Sequence, residues 1–131
     1  MAGVLFLCVA NSARSQLAEA IARHLAPALD IWSAGSDPTH VRPQVRTVLD
    51  EVGINTMGLR SKSLLEVPME EIDVIVTLCR EEKCPFIPGE QPRLAWPLPD
   101  PDSAPDEDLE EAFRATRDEL LRRLPALLRE I

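Results

Sequence analysis

A chain of 131 residues with 45% apolar and 27% charged side chains is sized and composed for one globular domain, 1–131, around a single core. Its formal charge of −8 argues against nucleic acid or an anionic membrane surface as a partner. Any site for an anion must then be built from local donors rather than from the global field. No run approaches the roughly 18 apolar residues of a membrane span, and the short apolar N-terminal stretch, with no preceding Lys or Arg, does not read as a signal peptide. The expected location is cytoplasmic, where three cysteines point to redox or catalytic work rather than structural bridges.

Val4 to Val9 is a continuous apolar run, as in a central parallel strand covered on both faces. Cys8-Val9-Ala10-Asn11-Ser12-Ala13-Arg14-Ser15 then sets a cysteine, five residues and an arginine between that strand and an amphipathic segment, Ser15 to Leu25. The N–H groups of Val9, Ala10, Asn11, Ser12, Ala13, Arg14 and Ser15 can turn inward to hold an oxyanion, backed by the positive end of the new helix. Arg14 adds a planar fork of donors. The same donors would stabilise a thiolate on Cys8 and arm it as a nucleophile. A free cysteine is most often a small buried hydrophobe; its place at a strand end before a helix start favours the catalytic reading. Ser12 and Ser15 supply candidate capping hydroxyls. In the helix, Leu17, Ala18, Ile21, Ala22 and Leu25 form the apolar stripe, with Glu19 early and Arg23 and His24 late, as the dipole prefers, and Pro27 stops it.

Asp30–Gly35 reads as a second strand, and Asp37–Arg42 as a loop in which His40 is exposed. Pro43 suits the first turn of a helix that buries Val45, Val48, Leu49 and Val52 and is capped by Gly53. The basic pair Arg60 and Lys62 reads as a solvated surface feature. Ile72–Leu78 is a β-branched interior strand that delivers Cys79 at its C-terminal end, where open α/β sheets bind ligands. Cys84 follows after four residues, and with no Cys/His pair nearby the two make a poor zinc site, so no metal and no cofactor is expected. Were the four residues helical, the cysteines would stand beyond the roughly 7 Å reach of a disulfide, and oxidation would require a rearrangement. Arg93–Trp96 is a last strand and Pro97–Asp102 a rigid loop. A long helix runs from Asp106 to Ile131 with an inner stripe of Leu109, Phe113, Thr116, Leu120, Leu124 and Leu127, and Pro125 should kink it or split off its end. Strands alternating with helices imply a parallel sheet with helices on both faces.

Cys8 to Arg14-Ser15 resembles the signature loop of the low-molecular-weight tyrosine phosphatase superfamily. The fuller string through Glu19 is similar to its thioredoxin-coupled arsenate reductase branch. The resemblance spans nearly the whole chain and implies a three-layer α/β fold with a four-stranded parallel sheet, order 2-1-3-4, flanked by helices. It implies arsenate as substrate, with phosphate or sulfate as mimics, thioredoxin as reductant, and a monomer. Cys8, Arg14, Cys79 and Cys84 would be catalytic, with Asp100, in an Asp-Pro pair like the family's acid loop, as general acid and Asp102 as a weaker candidate. Electrons would leave through Cys8–Cys79 and then Cys79–Cys84 disulfides. Asn11 and Ser15 would support the loop. Some reductases of this branch hold a monovalent cation beside the loop; Lys62 falls near that position and would replace it, reaching Glu19 or Asn11. Ala13 departs from members that carry a further cysteine, one the relay does not use. Two other readings remain: a small phosphatase, disfavoured by the absence of Tyr and the polar Asp102-Ser103 rim, and a non-catalytic oxyanion-binding or redox-sensing module.

Overall fold

The computed structural model describes residues 2–80 and 89–131. Four strands, β1 (Gly3–Cys8), β2 (Asp30–Gly35), β3 (Val74–Thr77) and β4 (Arg93–Ala95), form one parallel sheet in the order β2-β1-β3-β4. The helices are α1 (Arg14–Leu25), α2 (Pro43–Asp50) and α3 (Leu109–Arg129). The sheet order and the flanking helices of an α/β fold are those expected, but among the described residues the three α-helices all pack on one face and short 3-10 turns cover the other.

The two faces of the sheet are covered differently. Val4, Phe6, Val74 and Val76 join one cluster with residues of all three helices, among them Leu17, Ile21, Val48, Phe113 and Leu120. Leu5, Leu7 and Ile75 point the other way and pack on Val67 and Ile72, which flank short 3-10 turns at Leu64–Glu66 and Met69–Glu71. β1 is buried along its whole length because it is central and covered twice.

Local signals decide most boundaries, and tertiary contacts correct some. Pro43 opens α2 as expected. Its end is closed by Gly53 at φ 73°, where the Ile54 and Gly53 N–H groups bond Leu49 and Asp50 carbonyls in a Schellman pattern. Val52 is 42% exposed and Leu25 41%, so both drop off their predicted stripes; each lies at a helix end, where the stripe has turned away from the core. Neither Ser12 nor Ser15 caps α1: Ala13 is the N-cap, without a side-chain bond, because Ser15 is committed to the loop. β3 is shorter than the apolar run, and α3 begins at Leu109 behind a 3-10 turn at Asp106–Asp108. Pro125 does not split α3, which runs on to Arg129; Leu124, Leu127 and Leu128, all buried, hold the last turns against the core. Among the described residues no helix is long and apolar enough to cross a membrane.

α2 is tied to α3 by Glu51, whose carboxylate accepts from Arg114 (2.7 Å) and Arg117 (2.7 Å). The Arg114 guanidinium, with Arg117 assisting, holds the Glu51 carboxyl down at about 2. A carboxyl depressed on folding adds stability above its unfolded value near 4.5 and loses it as pH falls toward 2. The stability difference between the wild type and Glu51→Gln should therefore shrink from pH 5 to pH 2 in urea unfolding followed at a series of pH values. A difference that grows on acidification would refute the tie.

Gly35 ends β2 against the loop that follows β1. A Cβ there would lie 2.4 Å from the Val9 carbonyl oxygen, 2.9 Å from the Asn11 nitrogen and 3.0 Å from the Cys8 carbonyl oxygen, all backbone. Gly35→Ala should cost about 2 kcal/mol by overpacking, read in urea unfolding, and a neutral effect would mean that the approach is not needed.

Candidate active site

The loop from Cys8 to Arg14 is shaped by what holds its carbonyl groups. The Val9 oxygen accepts from Asp37 N–H (2.9 Å), Ala10 from Thr39 N–H (3.1 Å) and the Ser61 hydroxyl (3.0 Å), Asn11 from the Gln16 amide (3.0 Å), and Ser12 from Arg42 N–H (3.0 Å). Four successive carbonyls are thus drawn outward. In a planar trans peptide the next residue's N–H points the opposite way, so those of Ala10, Ser12 and Ala13 face the pocket these residues line. That pocket, of about 230 Å³, is bounded by Cys8, Val9, Ala10, Ser12, Ala13, Arg14 and Asp100. It is a concavity of backbone donors at a helix N-terminus, sized for a small tetrahedral anion.

Asn11 is the hub. It adopts φ 48°, the left-handed region that Asn tolerates better than most residues. Its amide nitrogen donates to Ser15 Oγ (2.8 Å) and Ser33 Oγ (3.0 Å), while its Oδ1 accepts from Lys62 N–H (2.8 Å) and the Gln16 amide (2.9 Å). Because Asn11 donates into Ser15, the Ser15 hydroxyl hydrogen is free to point at Cys8 Sγ, 2.9 Å away. Cys8 is a buried free thiol at the pocket floor.

Beneath this hub lies a buried ion cluster. Lys62, 5% exposed, places Nζ 3.2 Å from Glu19 Oε1, 3.4 Å from Ser33 Oγ and 3.1 Å from the Arg60 carbonyl. Glu19 is 1% exposed, accepts from Ser33 Oγ (2.7 Å) and pairs with Arg23 (2.7 Å). Burial pushes the Lys62 ammonium below its ordinary value, and Glu19 pulls it back up. Lys62 thus reaches Glu19, as the resemblance implied, and not solvent, as the basic pair by itself suggested: the Gly35 N–H bonds the Lys62 carbonyl (3.0 Å), which docks the segment beside β2 and turns the side chain inward. Arg60 does stay exposed, paired with Glu66 at 2.9 Å. Glu19, expected early in the helix and within reach of Lys62, is the buried counter-ion of Lys62 and Arg23.

Arg14 sends Nη1 to the carbonyls of Leu98 (3.1 Å) and Leu78 (3.4 Å), and its Nη2 lies 3.9 Å from Asp100 Oδ2. Asp100 faces Cys8 across the pocket, whereas Asp102 turns away to Arg42. Cys79 is buried just beyond β3, disulfide-bonded, with its sulfur 4.0 Å from the Leu7 carbonyl oxygen. β1 and β3 are neighbours in register Leu7↔Thr77, so Cys8 and Cys79 leave adjacent strands at the same end of the sheet. Cys84 lies outside the described residues. His24 and His40 are both exposed and away from the pocket lining. Among the described residues no group of three His, Cys, Asp or Glu could hold a metal.

Gln16, Ser33 and Arg42 escaped the sequence reading. Gln16 and Ser33 carry the only available signal, a polar residue on an otherwise apolar face of a helix or strand; for Arg42 there is none.

A thiol at the end of a central parallel strand, under a cradle of N–H groups closed by an arginine and faced by an aspartate, defines a cysteine-dependent enzyme of the phosphatase type. The chain belongs to the low molecular weight phosphotyrosine protein phosphatase family, which matches residues 3–131. Among its relatives, the arsenate reductase of Halalkalibacterium halodurans is 33% identical over 92% of this chain and 91% of that protein. That of Bacillus subtilis is also 33% identical, over the same shares of 92% and 91%. An arsenate reductase solved in a phosphate-binding state superposes with a TM-score of 0.87 at 31% identity, covering 100% of this chain and 99% of that one. A thioredoxin-dependent arsenate reductase of Corynebacterium glutamicum gives 0.75 at 28% identity, covering 100% of this chain and 64% of that one.

Removing the ammonium from the buried cluster should be costly. Lys62→Met is expected to lose about 2 kcal/mol in urea unfolding, less than a fully orphaned buried charge because Arg23 still pairs Glu19. With Lys62 in place, KCl and NaCl should give the wild type equal melting temperatures; selective stabilisation by potassium would show a cation site that Lys62 does not fill.

Proposed function

We propose that this protein is an arsenate reductase that draws electrons from thioredoxin through its three cysteines. The observation that carries the reading is the pairing of the two redox positions. Cys8 is a free thiol in an oxyanion cradle, and a disulfide-bonded Cys79 sits at the end of the adjacent parallel strand. A phosphatase needs only the first.

Arsenate enters the pocket, its oxygens bound by the loop N–H groups and Arg14. The Cys8 thiolate, steadied by the Ser15 hydroxyl, attacks arsenic, and Asp100 protonates the departing oxygen, which leaves as water. The Cys79 thiolate then attacks Cys8 sulfur. The S–As bond breaks with its electron pair going to arsenic, so As(V) becomes As(III) and departs as arsenite while a Cys8–Cys79 disulfide forms. Cys84 attacks Cys79, which frees Cys8 and leaves a Cys79–Cys84 disulfide for thioredoxin to reduce. The disulfide-bonded Cys79 beside a free Cys8 is consistent with that last oxidised stage. Lys62 takes the place of a monovalent cation under Asn11, fixing the loop from below. The protein works as a cytoplasmic monomer with no nucleic-acid or membrane partner. Weak hydrolysis of phosphate esters accompanies the main reaction, because phosphate shares the shape and charge of arsenate.

One arsenate turnover without reductant, followed by peptide mass mapping, tests the relay. The expected product is a Cys79–Cys84 bridge, and Cys84→Ser should instead accumulate Cys8–Cys79. Cysteines that stay reduced while phosphate esters are cleaved would make the protein a phosphatase and remove Cys79 and Cys84 from the mechanism.

A further inference from the structure

The loop that carries Asp100 is fastened at two points. Near its start Leu98 is buried, its N–H bonds the Leu78 carbonyl (3.1 Å) and its own carbonyl accepts from Arg14 (3.1 Å). Between the fastenings, Pro99 and Pro101 fix φ on either side of Asp100, so the segment is stiff. Asp100 Oδ1 accepts the Asp102 N–H (3.0 Å) and its carbonyl accepts the Ser103 N–H (3.1 Å), which winds Pro101–Ser103 into one 3-10 turn. The second fastening is at that turn. The Asp102 carboxylate lies 2.9 Å from Arg42 Nε as an ion pair, without the alignment of a hydrogen bond.

Arg42 is itself anchored to the catalytic loop, since its backbone N–H bonds the Ser12 carbonyl (3.0 Å). One residue therefore spans from the oxyanion cradle, through its main chain, to the acid loop, through its side chain. The only other side chain recorded at its guanidinium among the described residues is His40, whose Nε2 is 3.5 Å from Nη1.

We propose that Arg42 is a positioning residue for the proton-transfer step: by holding Asp102 it sets where Asp100 stands over Cys8. The inference rests on the reading of Asp100 as general acid. It also gives Asp102 a role other than the acid, because its carboxylate is engaged outside the pocket while Asp100 lines it. Both partners of the pair are about one third exposed, 30% and 31%. Such a pair contributes little to global stability, yet a stiff loop hinged at Leu98 needs only a weak tether to select one orientation. A misplacement of about 1 Å at a catalytic group is felt in the rate long before it is felt in the fold.

The test compares two phosphate esters whose cleavage uses Cys8, Arg14 and Asp100 but neither Cys79 nor Cys84. Phenoxide leaves poorly from phenyl phosphate and needs a proton from the acid, whereas dinitrophenolate leaves from dinitrophenyl phosphate without one. Arg42→Gln and Asp102→Asn are each expected to slow phenyl phosphate hydrolysis about five-fold and dinitrophenyl phosphate less than about two-fold. The double variant should be no slower than either single one. Melting temperatures should stay near wild type, and Arg42→Lys should recover most of the phenyl phosphate rate. Equal losses on both esters, or losses that multiply in the double variant, would overturn the proposal. If Asp100→Asn leaves the ratio of the two esters unchanged, the acid assignment falls and the tether with it. Failure of the disulfide relay leaves this outcome intact, because the ester reaction does not pass through it.

Discussion

The catalytic end of this protein depends on the direction of a few consecutive peptide planes. An oxyanion is strongly hydrogen-bonded by backbone N–H groups only if the carbonyls on the same peptides are satisfied elsewhere, since a buried, unpaired carbonyl costs about as much as the bond gained. Here every carbonyl from Val9 to Ser12 has an external donor. Those donors come from the 37–42 segment after β2, from Ser61 and from Gln16. Gly35 is bare so that β2 can approach, and Asn11 is left-handed so that the chain can turn. The cradle is thus a product of three chain segments meeting, and none of them alone would hold it open.

Charge is distributed to the same end. Among the described residues most of the acidic excess is on exposed surface, and Glu51 there and the half-buried Glu119 are paired with arginines of α3. Around the loop the balance is different: Arg14 lines the pocket, Arg42 pairs with Asp102 outside it, and Lys62 is buried beside Asn11. A buried ion pair such as Lys62–Glu19, with the exposed Arg23 on its outer side, adds little net stability against a well-packed apolar alternative. What it does supply is direction. With Ser33 donating to Glu19 and Asn11 donating to Ser33 and Ser15, each hydroxyl hydrogen has one place to go, and at Ser15 that place is the Cys8 sulfur.

Arg14 stands between the end of β3 and the loop that carries Asp100. Its guanidinium reaches the carbonyl of Leu78, next to Cys79, and that of Leu98, next to the Asp100 loop. Strand order explains this placement. Because β3 pairs directly with β1, the chain after β3 emerges beside the end of β1, and the chain after the last strand brings Asp100 to the pocket that Cys8 lines. A sheet in sequential order would have separated Cys8 from Cys79 by a strand's width.

Much of this was legible in the chain itself. The continuous apolar run before Cys8, the spacing to Arg14 and the 3.6-residue stripe of α1 place that cysteine between a strand and a helix through local periodicity alone. Pro43 and Gly53 bound α2 through their own dihedral preferences. What local pattern could not determine were the interactions that cross the sequence. Lys62 in an exposed-looking basic pair, Glu19 at a dipole-compatible position and Ser33 in an apolar strand each had an adequate local explanation. The family resemblance pointed Lys62 toward Glu19 or Asn11, but local pattern did not, and the docking of the 61–63 segment against β2 is what joins Lys62, Glu19 and Ser33 in one buried cluster. Likewise, nothing around Arg42 marks it, since its partners Ser12 and Asp102 lie 30 and 60 residues away. Composition and periodicity report which residues leave water; which buried polar groups satisfy one another is decided by packing, and that is where the tertiary structure made the site.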